Sequence, residues 1–158
     1  MFNTVLWVAI IVISVLLDRI TKWLAVLNLK GHGSVPILGE VLHFAYVENT
    51  GAAFGMMKNA RWIFIVVSTL AICAMLFYLI KYKPKSRLAV ISLAMIIGGG
   101  IGNMIDRVKL GYVVDFIYFK IIDFAVFNVA DAFVCVGTAL LIIYIVFFNR
   151  EKNKEEKK

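Results

Sequence analysis

VVDFIYFKIIDFAVFNVAD, residues Val113–Asp131, sets two carboxylates, Asp115 and Asp131, at the edges of apolar runs. A carboxylate in such a place is expensive unless something pairs with it or uses it. One reading is an outer-loop Asp followed by a helix-capping Asp. The other is a pair of carboxylates that share a proton and activate water. The sequence on either side of the stretch bears on the choice.

Hydrophobic residues make up 62% of the 158-residue chain and charged ones 17%, a balance no soluble domain carries. The chain reads as one integral membrane domain over residues 1–158. Four segments, at about residues 2–24, 62–80, 88–105 and 126–148, match the roughly 20 helical residues that cross a hydrocarbon core. No basic residue precedes the first and no A-x-A site follows it, so it is expected to be retained rather than removed as a signal peptide. Lys81, Lys83, Lys85 and Arg87 fill the loop 81–87, and Arg150, Lys152, Lys154, Lys157 and Lys158 mark the tail 149–158. By the positive-inside rule both are cytoplasmic, as is the N-terminus, which leaves segments 28–61 and 107–125 outside. The net charge of +7 is thus topological, and no nucleic-acid partner is expected. Cys73 and Cys135 lie within spans and are expected to be packing residues.

Polar residues inside the spans cluster at one depth. From Phe2 to Asp18, at ~1.5 Å per residue, the rise is roughly 24 Å, about a turn short of the outer interface. Asp18 and Lys22 share a helical face, as do Asn103 and Arg107, while Asn128 and Asp131 are neighbours at i, i+3. Gly98, Gly99, Gly100 and Gly102 precede Asn103 and offer a surface for close helix approach. In the outer segments Val41 to Val47 reads as a strand with Leu42, Phe44 and Tyr46 on one face, and Tyr112 to Ile117 as another. Gly51 to Gly55 reads as a short interfacial helix over the site. The fold class is therefore an all-α membrane protein of four transmembrane helices, with a small extracytoplasmic β-cradle and an interfacial half-helix.

A metal centre is not expected, since the only histidines, His32 and His43, form no ligand set. Ser68 and Ser92 lie inside apolar spans without a base. Carboxylates remain: Asp18, Asp106, Asp115, Asp123 and Asp131. Asp18 has Lys22 nearby and Asp106 adjoins Arg107, which favours permanently ionised acids, and Asp123 sits in a loop without polar company. Asp115 and Asp131 have no cation close in sequence.

DRITK (Asp18–Lys22), NTGAAF (Asn49–Phe54), GGGIGNMIDR (Gly98–Arg107), VVDF (Val113–Phe116) and FNVADA (Phe127–Ala132) resemble, in order, the five sequence boxes of the lipoprotein signal peptidase (signal peptidase II) family. The resemblance implies an aspartic endopeptidase that removes the signal peptide from bacterial prolipoproteins, N-terminal to a diacylglyceryl-modified cysteine. It implies Asp115 and Asp131 as the catalytic dyad. Asn49, Gly51, Asn103, Arg107 and Asn128 become contacts to substrate or dyad, with Asp18 and Lys22 as a supporting pair. No cofactor is implied. The expected partners are diacylglyceryl-modified prolipoproteins and membrane lipid, for a monomer in the bacterial inner membrane with its site near the outer leaflet. The alternative is a small proton-coupled four-helix transporter with Asp18 or Asp131 as proton carrier. It fits poorly, because the cytoplasmic two-thirds of helices 1, 3 and 4 is nearly free of ionisable groups.

Overall fold

The computed structural model describes residues 2–52 and 56–148. Among them, four helices are long and apolar enough to cross a membrane. Helix α1 spans Phe2–Leu29, longer than the expected 2–24, because nothing between Asp18 and Leu29 breaks a helix. Gly31, at φ 83, then takes the left-handed conformation that turns the chain. Helix α2 (Arg61–Tyr82) stops at Lys83, which adopts the left-handed conformation just before Pro84. Helix α3 (Arg87–Lys109) begins at Ser86, whose side chain accepts from the N–H of Ala89. Helix α4 (Val129–Ile143) closes with a π-helical turn at Tyr144–Phe148.

Helix α3 is the hub. Half of its most apolar stretch is buried, against 11% in the corresponding windows of the other three helices. Those three turn large apolar side chains outward, including Leu16, Leu70 and Ile142. Bare apolar helix surface of this kind is what lipid requires, so the packing between helices rests on shape rather than on hydrophobic burial. Two glycines of α3 set that shape. A side chain at Gly99 would collide with the carbonyl of Ala130 on α4, and one at Gly102 would stand 2.6 Å from Oδ2 of Asp18 on α1. At the end of the bundle away from the sheet, Ile72, Leu79, Val90, Leu93 and Ile97 form the apolar core.

The other end carries an antiparallel sheet of order β1-β2-β3, made of Val35–Leu38, Leu42–Asn49 and Val113–Phe119. The sequence had suggested only β2 and β3. β1 is a short strand, exposed throughout, that pairs Val35 with Phe44 across the turn at Gly39. Phe44 and Tyr46 pack with Val114 and Phe116 onto Ala25 and Leu29, the last turns of α1. A bulge between Phe44 and Val47 realigns β2, so that Val47 faces Asp115 and Asn49 faces Val113. Residues 126–128, expected to begin helix 4, are extended instead, because Phe127 bridges Ile117 of β3.

Other expectations need correcting or fall outside the description. Cys73 and Cys135 are exposed on the helix surfaces and are not packing residues, which a soft apolar thiol tolerates where lipid is the neighbour. Of the expected half-helix, Ala53, Phe54 and Gly55 lie outside the described residues, while Gly51 and Ala52 form a bend. The basic tail 149–158 also lies outside them.

Candidate active site

Asp115 sits in the middle of β3, 1% exposed, and Asp131 lies in the first turn of α4. Asn128 joins them. It is the N-cap of α4: its Oδ1 accepts from Asp131 N at 2.9 Å, and its own N–H donates to Asp131 Oδ2 at 3.2 Å, a reciprocal capping box. Its side-chain Nδ2 donates to Asp115 Oδ1 at 2.6 Å. One capping residue therefore holds both carboxylates. Asn49, at the end of β2, donates to Asp115 Oδ2 at 2.9 Å and is itself fixed by the N–H of Gly51 on its Oδ1.

Asn103 of α3 closes the ring of amides. Its Nδ2 donates to Asp131 Oδ1 at 2.7 Å, and its Oδ1 accepts from Lys22 Nζ at 2.8 Å and from Asn128 Nδ2 at 3.1 Å. An ammonium only donates, so Lys22 fixes which way that amide points. The immediate hydrogen-bond donors to Asp115 and Asp131 are thus neutral amides and a backbone N–H. Burial, and then the charge of Asp131, raise the Asp115 carboxyl to about 6.

Behind the amides lies a closed ion cluster. Lys22, 3% exposed, touches Asp18 Oδ1 at 3.1 Å and Asp106 Oδ2 at 2.9 Å. Arg19 takes the other oxygen of each carboxylate, Asp18 Oδ2 at 2.8 Å and Asp106 Oδ1 at 2.6 Å. Backbone N–H groups complete the acceptors, Ala130 on Asp18 and Val114 on Asp106. The cluster so ties α1 to α3, to α4 and to β3.

Two corrections follow for the carboxylates set aside in the sequence. Asp106 does not pair with its neighbour Arg107, since adjacent helical residues point to different faces, and its cations come from α1. Asp123 does have polar company: Tyr118 Oη donates to it at 2.6 Å. Arg107 instead donates to the carbonyl of Gly51 at 3.1 Å and lies 4.8 Å over the ring of Phe64. Arg19 and Asp106 were missed as part of the site. The signal available in the sequence was that Asp18, Arg19 and Lys22 of DRITK lie at nearly the depth of Asp106, so that two buried acids need two cations near them.

A cavity of about 660 Å³ opens in front of the two carboxylates. Asn49, Gly51, Asn103, Arg107, Asp115 and Asp131 make its polar wall, and Phe119, Phe124, Val126, Phe127 and Val134 make much of its apolar one. Among the expected site residues, Asn128, Asp18 and Lys22 stand behind that wall rather than in it. The arrangement offers a carbonyl one buried and one half-buried carboxylate on one side and an apolar bed on the other.

Comparison with known proteins agrees with this architecture. Residues 10–147 match the family model described as signal peptidase (SPase) II. The chain is 47% identical over 145 residues to the lipoprotein signal peptidase of Clostridioides difficile strain 630, covering 90% of this chain and 96% of that protein. It is 48% identical over 141 residues to the lipoprotein signal peptidase of Caldanaerobacter subterraneus subsp. tengcongensis, covering 89% and 95%. Two bacterial membrane enzyme structures determined by the in meso method superpose on it. Their TM-scores are 0.82 and 0.81 at 28% and 29% identity, the first covering 96% of this chain and 91% of the other, the second 90% and 93%. These likenesses give the transporter alternative no support. With four spanning helices around an amide-held carboxylate pair, this multi-pass membrane protein belongs to the signal peptidase II family.

Proposed function

We propose that this protein is an aspartic endopeptidase that removes signal peptides from bacterial prolipoproteins, with Asp115 and Asp131 as its dyad. The observation that carries the assignment is the convergence of both carboxylates on Asn128, each donated to by neutral amides and each lining the same cavity. Two carboxyls in this relation hold one proton between them, because the second ionisation is opposed by the first. The protonated carboxyl gives its proton to the scissile carbonyl oxygen as its ionised partner takes one from the attacking water, which leaves a gem-diol and one proton on the pair. As the C–N bond breaks, that proton passes to the leaving amine and the other carboxylate takes a gem-diol hydroxyl proton, returning the pair to its starting state. Each proton passes through the pair, and no cofactor takes part.

Asn49, Asn103 and Asn128 orient the carboxylates, and Arg107 with Gly51 lines the entrance. The basic loop 81–87 supports a cytoplasmic position for that end of the bundle and for both termini, with the sheet and dyad then at the outer leaflet of the inner membrane. A signal-peptide helix can slide along the membrane normal. Two acyl chains on the modified cysteine would anchor it at one depth, each buried CH₂ adding ~0.8 kcal/mol. Registration matters, since a misplacement of about 1 Å can slow a positioned reaction ~100-fold. The enzyme is taken to act as a monomer.

The test is gel-shift cleavage of one prolipoprotein by the purified protein, with and without its diacylglyceryl group. Cleavage in which kcat/KM is much higher with the lipid is expected. Equal values would remove the lipid from the recognition, and no cleavage of either would remove the activity.

A further inference from the structure

We infer that Arg19 is a positioning residue for the dyad, holding the buried ion cluster at zero net charge so that Lys22 keeps one N–H for Asn103. The inference rests on the dyad proposed above and adds to it a residue outside the amide ring. The contacts of the Lys22 ammonium carry it. Its three N–H groups have three oxygens within reach: Asp18 Oδ1 at 3.1 Å and Asp106 Oδ2 at 2.9 Å as ion pairs, and Asn103 Oδ1 at 2.8 Å as a hydrogen bond. Only the third reaches towards Asp131.

Arg19 covers the remaining oxygen of each acid, and also reaches the Gly102 carbonyl at 3.4 Å. Two carboxylates and two cations then cancel. Its side chain is 30% exposed, so it closes the cluster from the outside, while its Nε is buried without a partner. A buried N–H left unmade is tolerated here because both Nη groups are aimed at carboxylates. Without that guanidinium, Lys22 would face two carboxylates alone. It would be drawn off Asn103, and the surplus negative charge would stand behind Asp131.

The groups facing the pair are few enough to make this readable. Lys22 approaches from α1, Asn103 and Arg107 from α3, Asn128 from the start of α4 and Asn49 from β2. Facing Arg19 itself are Asp18, Asp106 and the Gly102 carbonyl.

The experiment measures kcat/KM against pH for cleavage of a lipidated prolipoprotein by four full-length proteins: wild type, Arg19→Gln, Arg19→Lys and Arg19→Gln/Asp106→Asn. A nearby uncompensated charge moves a carboxyl by about a pH unit. The acidic limb of Arg19→Gln is therefore expected about half a unit or more above wild type, with kcat lowered ~10-fold. Arg19→Lys keeps the charge and should return the limb to its wild-type position. The double variant restores neutrality with one acid and one cation, and should do the same; it also serves as the test if Arg19→Gln alone does not fold. A limb that stays in place in Arg19→Gln, or a double variant no closer to wild type than the single one, would overturn the inference and leave Arg19 a structural clamp. Absence of cleavage by the wild type would instead strike the dyad reading on which this one stands.

Discussion

Asn128 Nδ2 stands 2.6 Å from Asp115 Oδ1, a contact between the first residue of a helix cap and the middle of a strand thirteen positions earlier. The capping residue of α4 therefore belongs to two structures at once. Asn128→Ala should cost about 1 kcal/mol as a lost cap. It should also lower kcat/KM by far more than that energy implies, because Asp115 and Asp131 lose their common partner. Asn128→Ser keeps the cap and loses the reach to Asp115. Equal activity in the Ser variant and the wild type, assayed beside thermal melting, would reduce Asn128 to a helix cap.

Asp115→Asn and Asp131→Asn should each lower turnover by about 10²–10⁴-fold, the usual worth of a positioned acid or base, while the protein stays folded and inserted. Asp123→Asn is the control. Its φ of 47 suits Asn, whose side-chain oxygen still accepts from Tyr118, so activity should be kept. Near wild-type cleavage by either dyad variant would refute the assignment.

The Asp115 carboxyl, raised to about 6 by burial and then by Asp131, carries a signed consequence for stability. Between the ordinary value of 3.8 and about 6 the folded protein holds more protons than the unfolded chain. Stability therefore falls as pH rises through that window and levels off above it. Melting of the purified protein in one detergent from pH 4 to 7 should show this slope, and Asp115→Asn should flatten it. An unchanged slope in the variant would mean that other groups produce it.

Gly102→Ala would place a methyl 2.6 Å from Asp18 Oδ2, 3.0 Å from its Cγ and 3.2 Å from Ala130 Cβ. The ion cluster has no room to retreat, so a loss of about 1–3 kcal/mol is expected, along with reduced activity. Gly100→Ala meets only the flexible end of Ile72, at 3.3 Å, and should melt close to wild type. Comparing the two melting temperatures isolates the crowding from the loss of a glycine.

Arg107→Ala should reduce cleavage without altering insertion, because the guanidinium joins α3 to the Gly51 carbonyl at the cavity wall. Arg107→Lys retains the charge over Phe64 but not the planar donor fork, and an intermediate rate is expected. Reporter fusions in the loop 81–87 check that topology is constant.

The spans, and the common level of the polar residues within them, were legible because hydropathy and charge act along the chain. The sixteen residues from Phe2 to Leu17 that precede Asp18 need no tertiary information to be counted, and the Asn103–Asp131 contact was foreshadowed by their common level. What stayed hidden depends on which faces meet. Arg107 looked like the partner of Asp106 because it is adjacent, whereas Arg19, 87 positions away, supplies the bond. Tyr118 reaches Asp123 only because a single 3-10 turn at Lys120–Ile122 folds the chain back. Strand β1 carries Pro36 and no buried side chain, so its pattern offered nothing to read.

Among the described residues, the buried ion pairs and amide bonds between helices lie at the sheet end, among Asp18, Arg19, Lys22, Asn103, Asp106 and Asp131, while Ile72, Leu79, Val90, Leu93 and Ile97 pack the other end by apolar contact. The bundle is accordingly stiff at one end and compliant at the other. In a bilayer thinner or thicker than its apolar length, the helices can adjust tilt where Leu79 and Val90 meet, because sliding apolar surfaces costs little beside breaking a buried ion pair. Membrane thickness would then be absorbed at the far end of the molecule, and the spacing of Asp115 and Asp131 would be insulated from the lipid composition in which the protein finds itself.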